Sequence, residues 1–184
     1  MRKLSLLFLF LTTLLSTSPV SSQNIDKFYI QSPHKDGLLY FVFPQKMSVQ
    51  KEAEYICKKP LSYDYTYLDA NDSVTVLMTL FTSEAFIPEQ IHISINNGST
   101  VIDRNTEMLF TEPEKGNWKI RIKTNISLEE WTNIYQSSIS TPPIFSFSAQ
   151  GKTFIPSYQD NSKRWKKVSS KFRRLLKLIT INRK

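Results

Sequence analysis

The chain has 184 residues, of which 40% are hydrophobic and 12% aromatic, with only four glycines. This composition excludes a disordered or low-complexity chain and fits one domain with a sizeable core. The formal net charge of +8 is unevenly spread, because residues 161–184 hold ten of the 24 Lys and Arg residues and no acid. Residues 23–160 hold 12 bases and all 16 acids. A mildly acidic body with a basic tail predicts that the tail has its own partner.

The first 22 residues have the pattern of a Sec-type signal peptide. MRK is a basic n-region, Leu4–Leu15 is an apolar h-region, and Val20 and Ser22 occupy the −3 and −1 positions of a cut before Gln23. The apolar run is shorter than the roughly 20 residues that cross a bilayer, which disfavours a retained membrane anchor. We therefore expect an exported protein, placed in the periplasm, at the cell surface or in the medium.

The single cysteine, Cys57, excludes an internal disulfide and therefore a disulfide-stapled scaffold. In an exported chain, a lone thiol forms an intermolecular link, remains reactive or is buried. The neighbours Tyr55 and Ile56 favour burial.

Apolar and polar residues alternate through most of the stretch from Leu38 to Tyr158, the pattern of strands buried on one face. Turn signals recur roughly every ten residues, a spacing typical of a β-sandwich or another closed sheet. Asn97-Gly98 favours a type I′ hairpin turn, and the turn AQGK is expected to send the chain back into Lys152–Ile155. The segments predicted as strands are LLYFVF, YDYTYLD, SVTVLMTLF, QIHISI, STVID and IFSFS.

One internal segment, SLEEWTNIYQSS, has helical spacing. It begins with a capping box, Ser127-x-x-Glu130, and carries acids in its first turn. Its apolar residues recur at gaps of three and four, at Leu128, Trp131, Ile134 and Tyr135. We expect a short helix that closes one end of the sandwich. The segment VQKEAEYICKK fits either a helical turn or a continued strand.

The segment EPEKGNWKIRI combines a turn with a strand. Pro113 and Gly116 are the expected turn residues. Beyond them, apolar and basic residues alternate along the strand. One face carries Trp118, Ile120 and Ile122, and the opposite face carries Lys119, Arg121 and Lys123. The pattern Pro113-x-x-Gly116-x-Trp118 resembles the turn-plus-strand signature of many secreted bacterial Ig-like and jelly-roll sandwich domains. The resemblance implies a fold and transfers no functional residue. We predict an Ig-like or jelly-roll β-sandwich over residues 23–160.

The inventory of catalytic and metal-binding residues is small. The two histidines, His34 and His92, have no second His, Cys or carboxylate at ligand spacing in sequence. Nucleophile-elbow, phosphate-loop and dinucleotide-binding motifs are absent from the sequence. We therefore expect a non-enzymatic protein without a metal or cofactor; a catalytic triad dispersed along the chain is the alternative.

The strand YDYTYLD places three tyrosines, Tyr63, Tyr65 and Tyr67, on one face. Exposed, they would form a stripe able to stack on sugars or to cover a partner's surface. Buried, they would pack inside the fold, as strand tyrosines commonly do. The alternative function is a secreted carbohydrate-binding domain or hydrolase that uses the loops or this tyrosine face.

The tail from Ser162 to Ile179 has the spacing of a basic amphipathic helix, with Asn161 or Ser162 as its cap. Its apolar stripe comprises Trp165, Val168, Phe172, Leu175, Leu176 and Ile179. Since no acid is present to form i,i+4 ion pairs, neighbouring bases repel one another and the helix gains from an external anion.

Four interpretations of the tail remain open. It docks on an anionic membrane with Trp165 and Phe172 at the headgroup boundary, enters an acidic groove of a partner protein, or closes its own sandwich. Nucleic acid is the fourth, and export disfavours it. We expect an envelope binding or assembly module. Its predicted binding residues are Trp165, Lys166, Lys167, Phe172, Arg173, Arg174, Leu175 and Lys177.

Overall fold

The computed structural model describes residues 27–137, 141–151 and 155–182, and the predicted signal peptide lies outside them. These residues form ten strands, two α-helices and short 3-10 turns at Lys51–Ala53 and Asn96–Gly98. The strands are β1 (Tyr29–His34), β2 (Gly37–Val49), β3 (Leu61–Leu68), β4 (Ser73–Thr82), β5 (Gln90–Ile95), β6 (Thr100–Asn105), β7 (Glu107–Glu114), β8 (Asn117–Ser127), β9 (Ile144–Ser148) and β10 (Ser157–Gln159). The helices are α1 (Leu128–Ser137) and α2 (Ser162–Asn182). The predicted mainly-β fold with one internal and one C-terminal helix is confirmed.

The strands form one large antiparallel sheet in the order β6-β5-β9-β10-β2-β3-β4-β8-β7, with β1 paired to β2. The two end strands of this path, β6 and β7, are consecutive in sequence and separated only by Thr106. The backbone N–H of Thr106 donates to the carbonyl of Glu89, 2.9 Å away. One continuous stretch of chain therefore connects the two ends of the sheet.

The sheet folds over its buried face. The rings of Tyr63 on β3 and Phe145 on β9 lie 5.9 Å apart, although β10 and β2 separate those strands along the sheet. Three strand spacings in a flat sheet would place them about 14 Å apart. Strong bending is thus needed for this contact, and the core lies inside the bend.

The predicted alternation of buried and outward residues is present in β3, β4 and β5. On β4, every second residue from Val74 to Leu80 is buried, and on β5 the buried residues are Ile91, Ile93 and Ile95. The outward residues between them are half-buried or exposed, as period-two patterning requires, except Thr79, which is buried and accepts a hydrogen bond from Arg121. Cys57 is also buried, at 3% exposure, so the predicted burial of the thiol is confirmed.

Two turns differ in detail from the sequence prediction. In the β7–β8 hairpin, Lys115 and Gly116 have φ of 51° and 76° and form the two-residue turn, whereas Pro113 lies in β7 opposite Trp118. In the β5–β6 hairpin, left-handed backbone already begins at Asn96, so four residues separate the paired Ile95 and Thr100. Asparagine tolerates positive φ, which allows the longer turn.

The predicted return from β9 over Lys152–Ile155 falls mostly outside the described residues. The strand β10 starts at Ser157, and residues 152–154 lie outside the described part of the chain. Ile155 is outside the strand and exposed. The ambiguous segment before Pro60 forms the 3-10 turn Lys51–Ala53, after which Cys57 makes an isolated bridge to Thr82.

The internal helix α1 begins with the predicted capping box. The Glu130 N–H donates to Ser127 Oγ at 3.1 Å, and the Ser127 N–H donates to Glu130 Oε2 at 3.3 Å. Arg104 on β6 also donates to both carboxylate oxygens of Glu130. The start of α1 is thereby fixed to β6 as well as to its own backbone.

Candidate functional site

The apolar stripe of α2 faces the protein core. Tyr135 of α1 lies between two rings of α2, with centroid distances of 4.9 Å to Trp165 and 4.1 Å to Phe172. Phe172 also meets Tyr65 of β3 edge-on. Fully burying an apolar side chain of this size stabilises a fold by about 1.5–3 kcal/mol. The buried residues of α2 are Trp165, Val168, Ser169, Phe172, Leu175 and Ile179.

Side-chain hydrogen bonds hold both ends of α2. At the start, Asn161 caps the helix by accepting from the Arg164 N–H at 2.8 Å, and the buried Asp160 pairs with the Arg164 guanidinium. Burial raises the pKa of the Asp160 carboxyl, and its contacts with Arg164 and Asn161 oppose that shift. At the other end, Asn182 Nδ2 donates to the Tyr40 hydroxyl at 3.0 Å. The helix is therefore fastened to the sheet over its whole length.

The opposite side of α2 carries a row of cations, which we call the outer basic face. Its residues are Lys163, Lys166, Lys167, Arg174 and Lys177. The four lysines are exposed and Arg174 is half-buried. At 1.5 Å per residue, the row extends over about 21 Å. Within the described residues, no carboxylate forms an ion pair with any of these four lysines.

The cations of β8 are arranged differently. Lys119 pairs with Glu112 at 2.8 Å, Arg121 with Asp64 at 2.9 Å and Lys123 with Glu107 at 2.6 Å. Their charge is therefore neutralised within the fold. Unlike β8, α2 carries a continuous row of cations that includes four exposed lysines without an ion pair to a described carboxylate.

A groove of about 620 Å³ lies between α1 and the C-terminal half of α2. We call it the α1–α2 groove. Its lining includes the apolar side chains of Leu128, Leu176 and Ile181 and the cations Arg173 and Lys177. A smaller concavity of about 280 Å³ beside it also includes Arg173, Arg174 and Lys177 in its lining. Apolar surface next to positive charge suits an amphiphilic anion.

The predicted binding residues of the tail divide into two groups. Trp165, Phe172 and Leu175 are inside the fold, where they cannot meet a partner in this conformation. The bases face outward or line the concavities: Lys166, Lys167, Arg173, Arg174 and Lys177. The structure thus brings the cations together and keeps the aromatic side chains away from the surface.

The tyrosines of β3 are also inside. Tyr63, Tyr65 and Tyr67 are at most 3% exposed, and the Tyr63 hydroxyl lies 3.2 Å from that of Tyr135. Burial raises the pKa of the Tyr63 and Tyr65 phenols. The stripe that could have stacked on a glycan therefore faces the core and is not presented at the surface.

Sequence reasoning missed one polar row. On the outward face of β6, β5 and β9, His92 Nδ1 lies 2.5 Å from Asp103 Oδ1, and His92 Nε2 lies 2.8 Å from Ser148 Oγ. A hairpin centred on Asn97-Gly98 already pairs position 92 with 103, so the first contact had a signal in the sequence. The second contact depends on the long-range pairing of β5 with β9.

Within residues 27–137, 141–151 and 155–182, no cluster of three or more His, Cys, Asp or Glu side chains could hold a metal ion. In the same ranges, no helix is long and apolar enough to cross a bilayer. The chain matches no protein-family model, no curated protein and no solved structure.

Proposed function

We propose that this protein is an exported binding or assembly module of the cell envelope that docks on an anionic membrane surface through the outer basic face of α2. We also propose that its folded-over sheet is a β-sandwich of the Ig-like or jelly-roll type. The observation that carries the docking proposal is the row of four exposed lysines without a carboxylate partner among the described residues.

Docking on this face is electrostatic. Each Lys or Arg near an anionic leaflet contributes roughly 1 kcal/mol, and the attraction falls off within a Debye length of about 8 Å at physiological salt. Since Trp165 and Phe172 are buried, the protein adsorbs folded and does not insert these rings at the headgroup boundary. Such adsorption is reversible and sensitive to ionic strength.

The charge of the body orients the docked protein. Residues 23–160 carry 12 bases and 16 acids, so an anionic surface repels the body while it attracts α2. The body is thereby held away from the membrane, where the remaining surface of the sheet is open to other components of the envelope.

The α1–α2 groove favours a second candidate, an acidic amphipathic segment of a partner protein. Apolar residues of that segment would lie beside Leu176 and Ile181, and its carboxylates would meet Arg173 and Lys177. This candidate predicts a preference for acidic amphipathic peptides over lipid.

Vesicle co-sedimentation of the chain without its predicted signal peptide tests the proposal. We expect binding to vesicles with 30% phosphatidylglycerol, little binding to pure phosphatidylcholine, and loss of binding as salt rises from 50 to 500 mM. Equal, salt-insensitive binding to both vesicle types would contradict docking by charge. Binding to an acidic amphipathic peptide with none to either vesicle would favour the partner protein.

A further inference from the structure

From the geometry of Ser148, His92 and Asp103 we infer a nucleophilic site on the outward face of the sheet, with Ser148 as a nucleophile toward small activated carboxylic esters. The inference departs from the non-enzymatic expectation drawn from the sequence. It does not rest on the docking proposal, because the three residues belong to β9, β5 and β6 and none belongs to α2.

The roles follow from the hydrogen bonds. An ionised carboxylate only accepts, so Asp103 Oδ1 at 2.5 Å holds the imidazole with its proton on Nδ1. In the neutral ring, Nε2 then carries the lone pair, and it lies 2.8 Å from Ser148 Oγ. This tautomer accepts the hydroxyl proton of Ser148. A nucleophile, a base and a group that orients the base define such a site by geometry, whatever their order in the chain.

The framework of the row is rigid. Asp103 and His92 are directly opposed in the β5–β6 hairpin, and β5 is paired on its other side with β9, which ends at Ser148. Buried Ile91 and Ile93 flank His92 along its strand. Elements of a paired sheet hold side chains more accurately than loops do.

The nucleophile is reachable from solvent. Ser148 is half-buried and stands at the end of its strand, next to the turn that contains Gln150 and Gly151. About a third of the His92 side chain is exposed, at 31%. A small acyl donor can therefore approach Ser148 Oγ along the outward face. The ester must carry an activated leaving group, because beyond the nucleophile these residues supply only a general base.

The reaction is balanced with water as the second substrate. Ser148 Oγ attacks the ester carbonyl carbon while its proton passes to His92 Nε2. The carbon–oxygen bond to the leaving group breaks, and the imidazolium returns the proton to that oxygen. Water then attacks the acyl carbon and gives a proton to the same nitrogen. The bond from that carbon to Ser148 Oγ breaks, the imidazolium returns the proton to Oγ, and a carboxylic acid leaves.

The test uses a fluorophosphonate probe on the chain without its predicted signal peptide, with tandem mass spectrometry to locate the adduct. We expect an adduct on Ser148 in the wild type, its loss in Ser148→Ala, and labelling at least about tenfold slower in Asp103→Asn, since the carboxylate sets the tautomer. The burst of p-nitrophenolate released from p-nitrophenyl acetate should be fast in the wild type, slower in Asp103→Asn and absent in Ser148→Ala.

Ser146→Ala is the matched control. Ser146 lies on the same face of β9, but its hydroxyl donates to the backbone carbonyl of His92 at 3.5 Å and not to the ring. This variant should label as the wild type does. Absence of a Ser148 adduct in the wild type would overturn the inference without any variant. Equal labelling rates for Asp103→Asn and the wild type would also overturn it, because Ser148 would then react without activation through His92 and Asp103.

Discussion

The ring of Tyr135 on α1 stacks on the ring of Phe172 on α2, with centroids 4.1 Å apart and planes inclined by 28°. Tyr135 also stacks on Trp165, 4.9 Å away. One tyrosine of α1 therefore contacts two aromatic residues of α2 that lie about two helical turns apart. All three side chains are buried. The basic helix is therefore part of the core on one side and a cationic surface on the other.

Phe172→Ala should destabilise the fold by about 3–5 kcal/mol, because the substitution leaves a cavity between two helices and β3. Denaturant unfolding followed by circular dichroism measures the change. The control is Lys167→Ala on the exposed side of the same helix, which should stay within about 0.5 kcal/mol of wild type. Equal midpoints for the two variants would mean that α2 does not contribute to the core.

Local signals in the sequence predicted both helices and several strands, but not β1 or β7, which lack an alternating buried face. Alternation at Val74, Val76 and Met78 identified β4, and the Ser127–Glu130 capping box identified the start of α1. The order of strands in the sheet was beyond prediction, because it depends on pairings between residues far apart in sequence. Tyr63 and Phe145, for example, come into contact only because the sheet folds over, and no local sequence pattern predicts this bend.

Glu130→Gln should lower stability by about 1 kcal/mol at neutral pH, since it weakens the cap of α1 and removes the ion pair with Arg104. Burial opposes ionisation of Glu130, but the hydrogen bonds from Arg104 and Ser127 outweigh it and lower its pKa. A carboxyl whose pKa is lowered in the folded state stabilises that state at pH values above its ordinary pKa of 4.5. This stabilisation is lost as the pH falls from 4.5 through the lowered pKa. The wild type and Glu130→Gln should therefore converge in unfolding free energy below pH 4.5; a gap that widens there would contradict this account.

Cys57 should resist thiol reagents in the native protein. The side chain is buried, and burial raises the pKa of its thiol, so the reactive thiolate is both scarce and inaccessible. We expect Ellman's reagent to react only under denaturing conditions, at a rate that follows global unfolding. Fast labelling of the native protein would instead support the intermolecular link or reactive thiol that the sequence left open.

Gly37→Ala should destabilise the protein by about 1–3 kcal/mol. Gly37 has φ of +147°, and an added Cβ would lie 2.0 Å from Asp69 Oδ1, which accepts the Leu38 N–H at 2.8 Å. Gly151→Ala is the matched control, because Gly151 also has positive φ but nothing lies within 4 Å of its added Cβ. A loss of stability no greater than that of Gly151→Ala would show that Asp69 moves aside without cost.

For the candidate site, the sequence predicted the amphipathic helix, but it did not predict whether the apolar stripe of that helix is buried in the core or contacts a membrane. The same stripe of Trp165, Phe172 and Leu175 suits a membrane boundary and a protein core, and only tertiary structure decides between them. The cations were easier to interpret, since residues 161–184 contain no acid to neutralise them.

The most direct test of the docking proposal compares two triple variants of equal net charge in vesicle binding. Lys163→Gln, Lys166→Gln and Lys167→Gln remove three cations from the outer basic face, whereas Lys35→Gln, Lys51→Gln and Lys58→Gln remove three exposed lysines from the body. At about 1 kcal/mol per cation, the first variant should bind vesicles with 30% phosphatidylglycerol roughly 100-fold more weakly than wild type. The second variant should bind as tightly as wild type or within a few-fold of it. Equal weakening in both would show that net charge alone drives binding and would contradict docking through α2.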